Sequence, residues 1–369
     1  MAACSGRLGL ASSTLAAVLW LCTACTTPSR PVPPPPAPAP PAPPQVPAAV
    51  GPSSRAGALG RVAGEHASAL VYLPAQGDTL AAIAERFFGD GSRAWVIARA
   101  NGDIDAPRPG LPLLLPRDAP SPLGVSLQGV QTVPVLCYHR FVPGDAASAN
   151  KMHLPVARFE AQLAWLASQR YTVLRLSELQ GFLDGRRAVP PRSVVITVDD
   201  GWESFYRHAF PLLQKYRVPA TLFVYTDIIG TRDGLSWAQL REMAVSGWVD
   251  IQAHSKTHRN LTERAAGEDD AAWKRAVATE LRHPRTLLES RLADVGVKVQ
   301  QFAYPYGEVN ASVLGALQAE PYTLAFTVRS GSNAFYAAPH LLRRTMIFGD
   351  HTLDDFISRV QTQRPLSKP

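Results

Sequence analysis

The stretch Ser193-Val194-Val195-Ile196-Thr197-Val198-Asp199-Asp200-Gly201 decides how the rest of this sequence is read. Its first six residues form an apolar, β-branched run without alternation, the pattern of a strand buried on both faces of a parallel sheet. The two carboxylates and the glycine could simply end that strand in a turn, since Asp and Gly are turn residues. A second polar cluster argues for more. Trp248-Val249-Asp250-Ile251-Gln252-Ala253 has the composition of another strand, and His254-Ser255-Lys256-Thr257-His258 follows at its carboxyl end. In α/β folds, catalytic groups collect at the carboxyl ends of parallel strands. Adjacent strand residues face opposite ways, so Asp199 and Asp200 can share one site only where the strand stops. Gly201 permits that sharp exit. His254 and His258, four apart, lie on one side if the loop makes a helical turn.

Two carboxylates and two imidazoles suffice for a three-ligand divalent metal with one carboxylate left over as a base. A metal with an open position lowers the pKa of its bound water to about 7, as hydrolysis of an amide or ester near neutral pH requires. From residue 133 onward the pattern alternates. Strands are expected at 133–138, 171–174, 194–198, 221–225, 249–253, 301–304, 324–328 and 344–348. Amphipathic helices intervene, as at 156–169 and 237–245, and a long charged helix at 269–292 reads as peripheral. Such alternation predicts an α/β fold with a parallel, barrel-like sheet.

With these residues in view, the segment from about 133 to 347 resembles the polysaccharide deacetylases, the NodB-homology carbohydrate esterases of family 4. Their first motif is matched by Thr197-Val198-Asp199-Asp200-Gly201, the second by His254-Ser255-Lys256-Thr257-His258, and the third by Ala303-Tyr304-Pro305-Tyr306-Gly307. Three further stretches look like the branch that deacetylates poly-β-1,6-N-acetylglucosamine: Pro134-Val135-Leu136-Cys137-Tyr138-His139, Phe302 ahead of the third motif, and Leu342-Arg343-Arg344-Thr345-Met346-Ile347. The resemblance implies a distorted (β/α)7 barrel. It also implies Asp199 as catalytic base, Asp200, His254 and His258 as metal ligands, and the Tyr306 N–H as an oxyanion donor. Zinc is the expected ion, although such ligands also accept cobalt, nickel or iron.

Two places depart from the family pattern. Ala303 stands where an arginine usually orients the catalytic aspartate, and Arg344 is the candidate replacement. The Leu-x-His motif that supplies a general acid is not evident, yet a departing amine needs a proton. His139, His340 and His351 are candidates, and His139 is favoured because it ends a strand.

The 369 residues carry 37 basic and 30 acidic side chains, a net charge of +7. These are scattered, and no basic stripe with interleaved aromatics argues for nucleic acid. Residues 1–24 read as an export signal with Arg7 as its lone charge and a short apolar core. Leu21-Cys22-Thr23-Ala24-Cys25 resembles a bacterial lipobox, which implies a lipid on Cys25 and a periplasmic protein anchored to the outer membrane; an ordinary cleaved signal is the alternative. Cys4 and Cys22 would leave with the signal, so Cys137 remains as a single thiol that cannot form an internal disulfide. Inside an apolar strand it reads as a small core residue.

Residues 25–67 read as a disordered linker, with a Pro/Ala-rich run at 28–47 in polyproline II. About twenty such residues at about 3.1 Å each would span roughly 60 Å. A small α+β unit follows at 68–118. Its Gly77, Asp78, Thr79, Leu80, Ile83, Ala84, Asn101, Pro109, Gly110 and Pro116 resemble a LysM module, which implies binding of N-acetylglucosamine glycans. Most of these are folding positions, so a spacer role stands beside glycan binding. Trp202, Tyr206, Tyr304 and Tyr306 flank the motifs, and Trp202 is the preferred sugar-stacking candidate.

The expectation is therefore an exported metal-dependent N-deacetylase, with its catalytic domain at 130–362, acting on an N-acetylglucosamine polymer, with envelope polysaccharide export proteins as candidate partners. Its rivals are a peptidoglycan deacetylase, an O-acetyl esterase, and a non-catalytic envelope-binding lipoprotein.

Overall fold

The computed structural model describes residues 60–117, 121, 123–126, 129–144 and 150–365. The stretch expected to be an export signal at 1–24, Cys25 with its expected lipid, and the proline-rich run at 28–47 lie outside the described residues. No helix among the described residues is long and apolar enough to cross a membrane.

A three-stranded antiparallel sheet comes first, built from β1 (Arg61–Glu65), β2 (Ala69–Leu73) and β3 (Leu113–Pro116). Helices α1 (Leu80–Phe88) and α2 (Ala94–Ala100) connect β2 to β3. Strand β1 falls inside the stretch expected to be linker. Its side chains alternate between exposed and half-buried, so edge pairing with β2 sustains a strand despite the polar sequence. Thr79 caps α1 by accepting from the Ala82 N–H, and Asp78 Oδ2 accepts from Tyr72 Oη and the Ala75 N–H. The Asn101 side chain ties the end of α2 to Leu114 of β3. Leu80, Ile83, Ile97, Leu113 and Leu115 close a small core.

The larger sheet is a curled half-barrel. Strands β4 (Val133–Tyr138), β5 (Ser193–Asp200), β6 (Ala220–Val224), β7 (Val249–Ala253), β8 (Gln301–Ala303) and β9 (Leu324–Phe326) lie side by side in chain order, all parallel. Every residue of β4, β5 and β6 is buried, as their unbroken apolar runs require. Alternate residues go to two cores. Leu136, Ile196, Leu222 and Ile251 pack toward helices such as α3 (Val156–Ser168) and α6 (Trp237–Val245), while Val135, Val195, Phe223 and Ala303 form a second cluster.

The segment 342–346 touches both sides of the curl. Leu342 bridges to Phe326 of β9, and β10 (Thr345–Met346) pairs in parallel with Leu136 and Cys137 of β4. Four strands are shorter than expected. Only Thr172–Val173 forms in the first, those expected at 301–304 and 324–328 end at Ala303 and Phe326, and β10 is limited to Thr345–Met346. The long helix α7 (Asp270–Arg291) is not peripheral. Trp273, Val277, Glu280, Leu281, Pro284 and Leu288 form a buried stripe along an otherwise charged helix.

Candidate active site

Strand β5 leaves the sheet through two residues with positive φ, Asp200 at 76° and Gly201 at 98°. A Cβ on Gly201 would stand 2.5 Å from Val224 Cγ2, so glycine is required there by conformation and by space. This exit turns both carboxylates toward one place, in different surroundings.

Asp199 is sealed. Its Oδ1 accepts from Arg344 Nη1 at 2.6 Å. Arg344 is fully buried, donates through Nε to the Thr327 carbonyl, and lies over the Phe223 ring. Burial works to raise the Asp199 carboxyl, but the Arg344 charge, with help from His254, outweighs it and holds the group below the usual carboxylate range. Asp199 Oδ2 stands 3.4 Å from Cys137 Sγ and 3.9 Å from His254 Nε2. The structure thus places Arg344 against Asp199.

Asp200 meets the two histidines. Its Oδ2 accepts from Trp202 Nε1 at 2.8 Å, while Oδ1 is buried and has no hydrogen-bond partner. That oxygen lies 3.6 Å from His254 Nε2 and 3.3 Å from His258 Nε2. His254 Nδ1 sits 2.7 Å from the Ala303 carbonyl, which can only accept, so the proton belongs on Nδ1 and Nε2 presents a lone pair. Burial, aided by His258, lowers the His254 pKa to about 4 against the pull of Asp199, so the ring is neutral near pH 7. Two ligands of one tetrahedral ion, each at about 2.0–2.1 Å, sit about 3.3 Å apart. The 3.3 and 3.6 Å spacings and the orphaned buried oxygen therefore fit a divalent cation held by Asp200, His254 and His258.

The histidine loop makes no helical turn. Ser255 and His258 have φ of 72° and 63°, and the Ser255 hydroxyl accepts from the His258 N–H. These two left-handed residues, rather than a 3.6-residue period, bring the ring centroids to 4.8 Å. Glu280 of α7 holds the loop in that shape. Its Oε2 accepts from the N–H groups of Lys256 and Thr257, both at 2.8 Å, and Oε1 accepts from Thr257 Oγ1 at 2.7 Å. Sequence reasoning missed this residue. The signal was present, because Glu280 interrupts the apolar stripe Trp273, Val277, Leu281, Leu288 with a charge.

The remaining candidates divide. His139 follows β4 directly, and the pairing of Cys137 with Thr197 carries it to the side of Asp199. His340 Nε2 bonds the Tyr322 carbonyl and His351 Nδ1 accepts from the Phe348 N–H, each away from the carboxylates. Tyr306, with φ of 59°, sets its exposed ring against His258 at 4.8 Å. Trp202 is occupied: its N–H supports Asp200, and the Arg140 guanidinium covers the ring at 4.4 Å. Tyr304 is buried and donates to the His340 carbonyl, and Tyr206 donates to Glu242.

The family model described as Polysaccharide deacetylase matches residues 186–325, the stretch holding the carboxylates, the histidine loop and the third motif. The poly-beta-1,6-N-acetyl-D-glucosamine N-deacetylase of Escherichia coli K12 is 26% identical over 255 residues, 60% of this chain and 37% of the relative. The protein of the same name from Staphylococcus aureus MSSA476 is 25% identical over 264 residues, 66% of this chain and 88% of the relative. The structure of IcaB from Ammonifex degensii matches with a TM-score of 0.55 at 28% identity, covering 64% of this chain and 100% of that one. This chain thus spans little more than a third of its Escherichia coli relative. Residues 186–325 are thus similar to the polysaccharide deacetylases, and the half-barrel that carries them is the fold shared with IcaB.

Proposed function

We propose that this enzyme removes N-acetyl groups from an N-acetylglucosamine polymer of the cell envelope, using zinc held by Asp200, His254 and His258. The observation that carries the reading is the division of the two carboxylates, one locked to Arg344 at 2.6 Å and the other facing two imidazoles. When bound, the ion would polarise the acetyl carbonyl and acidify a water molecule. Asp199 takes the proton of the attacking water through Oδ2, the oxygen that Arg344 leaves free. Arg344 keeps that carboxylate ionised and fixes its orientation. The Tyr306 N–H donates to the developing oxyanion, and His139 returns a proton to the departing amine.

The sheet, with segment 342–346 touching both sides, is read as the family's distorted seven-stranded barrel. The small unit at 61–116 is read as a LysM module that keeps the enzyme on its polymer, and Cys25 as the lipid anchor at the outer membrane. The names of the Escherichia coli and Staphylococcus aureus relatives support a β-1,6-linked substrate. Mass spectrometry of β-1,6- and β-1,4-linked oligomers treated with zinc-loaded enzyme tests this. The β-1,6 series should lose acetyl groups faster and gain free amines. Loss of acetyl from hydroxyls alone would make it an esterase, and faster turnover of the β-1,4 series would point to peptidoglycan or chitin-like chains.

A further inference from the structure

We propose that Cys137, His139 and Asp199 form a second cation site, which takes a thiophilic divalent ion such as zinc, cobalt or cadmium and silences the enzyme when filled. The binding stands on geometry alone, whereas the silencing rests on the roles given above to Asp199 and His139.

Cys137 and His139 are two apart at the end of β4 and so share one face of the sheet. The parallel register that sets Cys137 opposite Thr197 places Asp199 on that face beside His139. One donor atom from each of the three lies within 4.8 Å of the others. Cys137 Sγ and Asp199 Oδ2 are 3.4 Å apart. A tetrahedral zinc with sulfur at about 2.3 Å and oxygen at about 2.1 Å would hold the two about 3.5 Å apart. Because Arg344 engages only Oδ1, the oxygen facing Cys137 is available. Sulfur makes this set softer than the Asp200 set, so it selects zinc, cobalt or cadmium over magnesium or calcium.

The site must also be the weaker one. Arg344 places a buried positive charge beside it, and an ion among Asp200, His254 and His258 would add another, since His254 Nε2 is 3.9 Å from Asp199 Oδ2. Entry is from the half-buried His139, since Cys137 has no exposed surface. On binding, the Cys137 thiol loses its proton to solvent and a sulfur–metal bond forms. The same event ties up Asp199 Oδ2 and the His139 lone pair.

Cobalt titration of the metal-free full chain, with Cys4, Cys22 and Cys25 replaced by serine, tests the proposal. Two equivalents should bind. The first should lack a sulfur-to-cobalt charge-transfer band and support activity; the second should bring the band and lower activity at least tenfold. In the same background, Cys137→Ser should lose the second equivalent and its band while retaining the first. His139→Ala is an independent variant that should lose the second equivalent too, and it carries the test if Cys137→Ser does not fold. A single equivalent in excess cobalt, a second one without the band, or a second one that survives Cys137→Ser would overturn the site. Binding with the band but with undiminished activity would leave the site standing and overturn the roles of Asp199 and His139. Failure of the first equivalent would overturn the Asp200 site instead.

Discussion

Asp199 and Asp200 are neighbours in the chain with the same side chain, yet they occupy unlike ground. Asp199 lies in a closed pocket of arginine, thiol and strand backbone, with one oxygen already claimed by a permanent cation. Asp200 lies at the mouth, steadied by an indole N–H, with one oxygen aimed at two imidazole rings. A carboxylate kept ionised inside protein is suited to accept a proton and release it again. A carboxylate among lone pairs is suited to a cation. The chemistry is divided by what surrounds each group, and the strand exit at Gly201 makes the division available to adjacent residues.

Exchanging the two roles should be impossible, and that gives the largest expected effect. Asp199→Asn should lower kcat by about 10³-fold and leave zinc content unchanged. Asp200→Asn should instead lose zinc, and excess zinc should restore part of the activity. Isothermal titration alongside kinetics separates them; equal metal loss in both variants would erase the distinction drawn here.

Removing the pocket's cation sharpens it further. Arg344→Met leaves Asp199 buried without a partner, a change that typically costs about 3–5 kcal/mol of stability. In the native enzyme the Asp199 carboxyl is depressed, so its stabilisation is present above the unfolded carboxylate pKa and fades as pH falls through the folded value. With burial unopposed the pKa rises above the ordinary range, so the acid limb of kcat/KM should move to higher pH. An unmoved limb would mean that Arg344 has only a packing role.

The mouth has its own pH signature, smaller because it concerns one ring. His254 titrates near 4 rather than near 6.5, so folding gains stability from it above 6.5 and loses that gain as pH falls toward 4. Apo-protein followed by thermal denaturation between pH 7 and 4 should show this loss, and His254→Gln should flatten it.

The smallest effect belongs to the residue that shapes the mouth from outside. Glu280→Gln keeps the volume but weakens acceptance from Lys256 and Thr257, and should lower metal affinity about tenfold, with kcat in saturating zinc nearly unchanged. A fall in kcat with intact affinity would place Glu280 in the chemistry rather than in the support.

The pocket and the mouth also differed in how far sequence revealed them. Buried parallel strands announce themselves by unbroken apolar runs, and the carboxylates at the end of β5 were legible for that reason. Arg344 became a candidate only through the family resemblance, which sets an arginine where this chain has Ala303; an ordinary salt-bridging arginine fitted the sequence equally well. The histidine loop resisted because left-handed backbone at Ser255 and His258 has no sequence period, and serine is not among the residues enriched there. Helix α7 was misjudged because charge outweighed a stripe spaced three and four residues apart. The hydrogen bond from the Trp202 N–H to Asp200, two residues away, is likewise invisible in composition.

Segment 342–346 meets both edges of the curled sheet and delivers Arg344 to Asp199. During synthesis Asp200, His254 and His258 all emerge more than eighty residues before that arginine. A chain ending before that stretch would carry all three of those side chains and still leave Asp199 without its guanidinium partner.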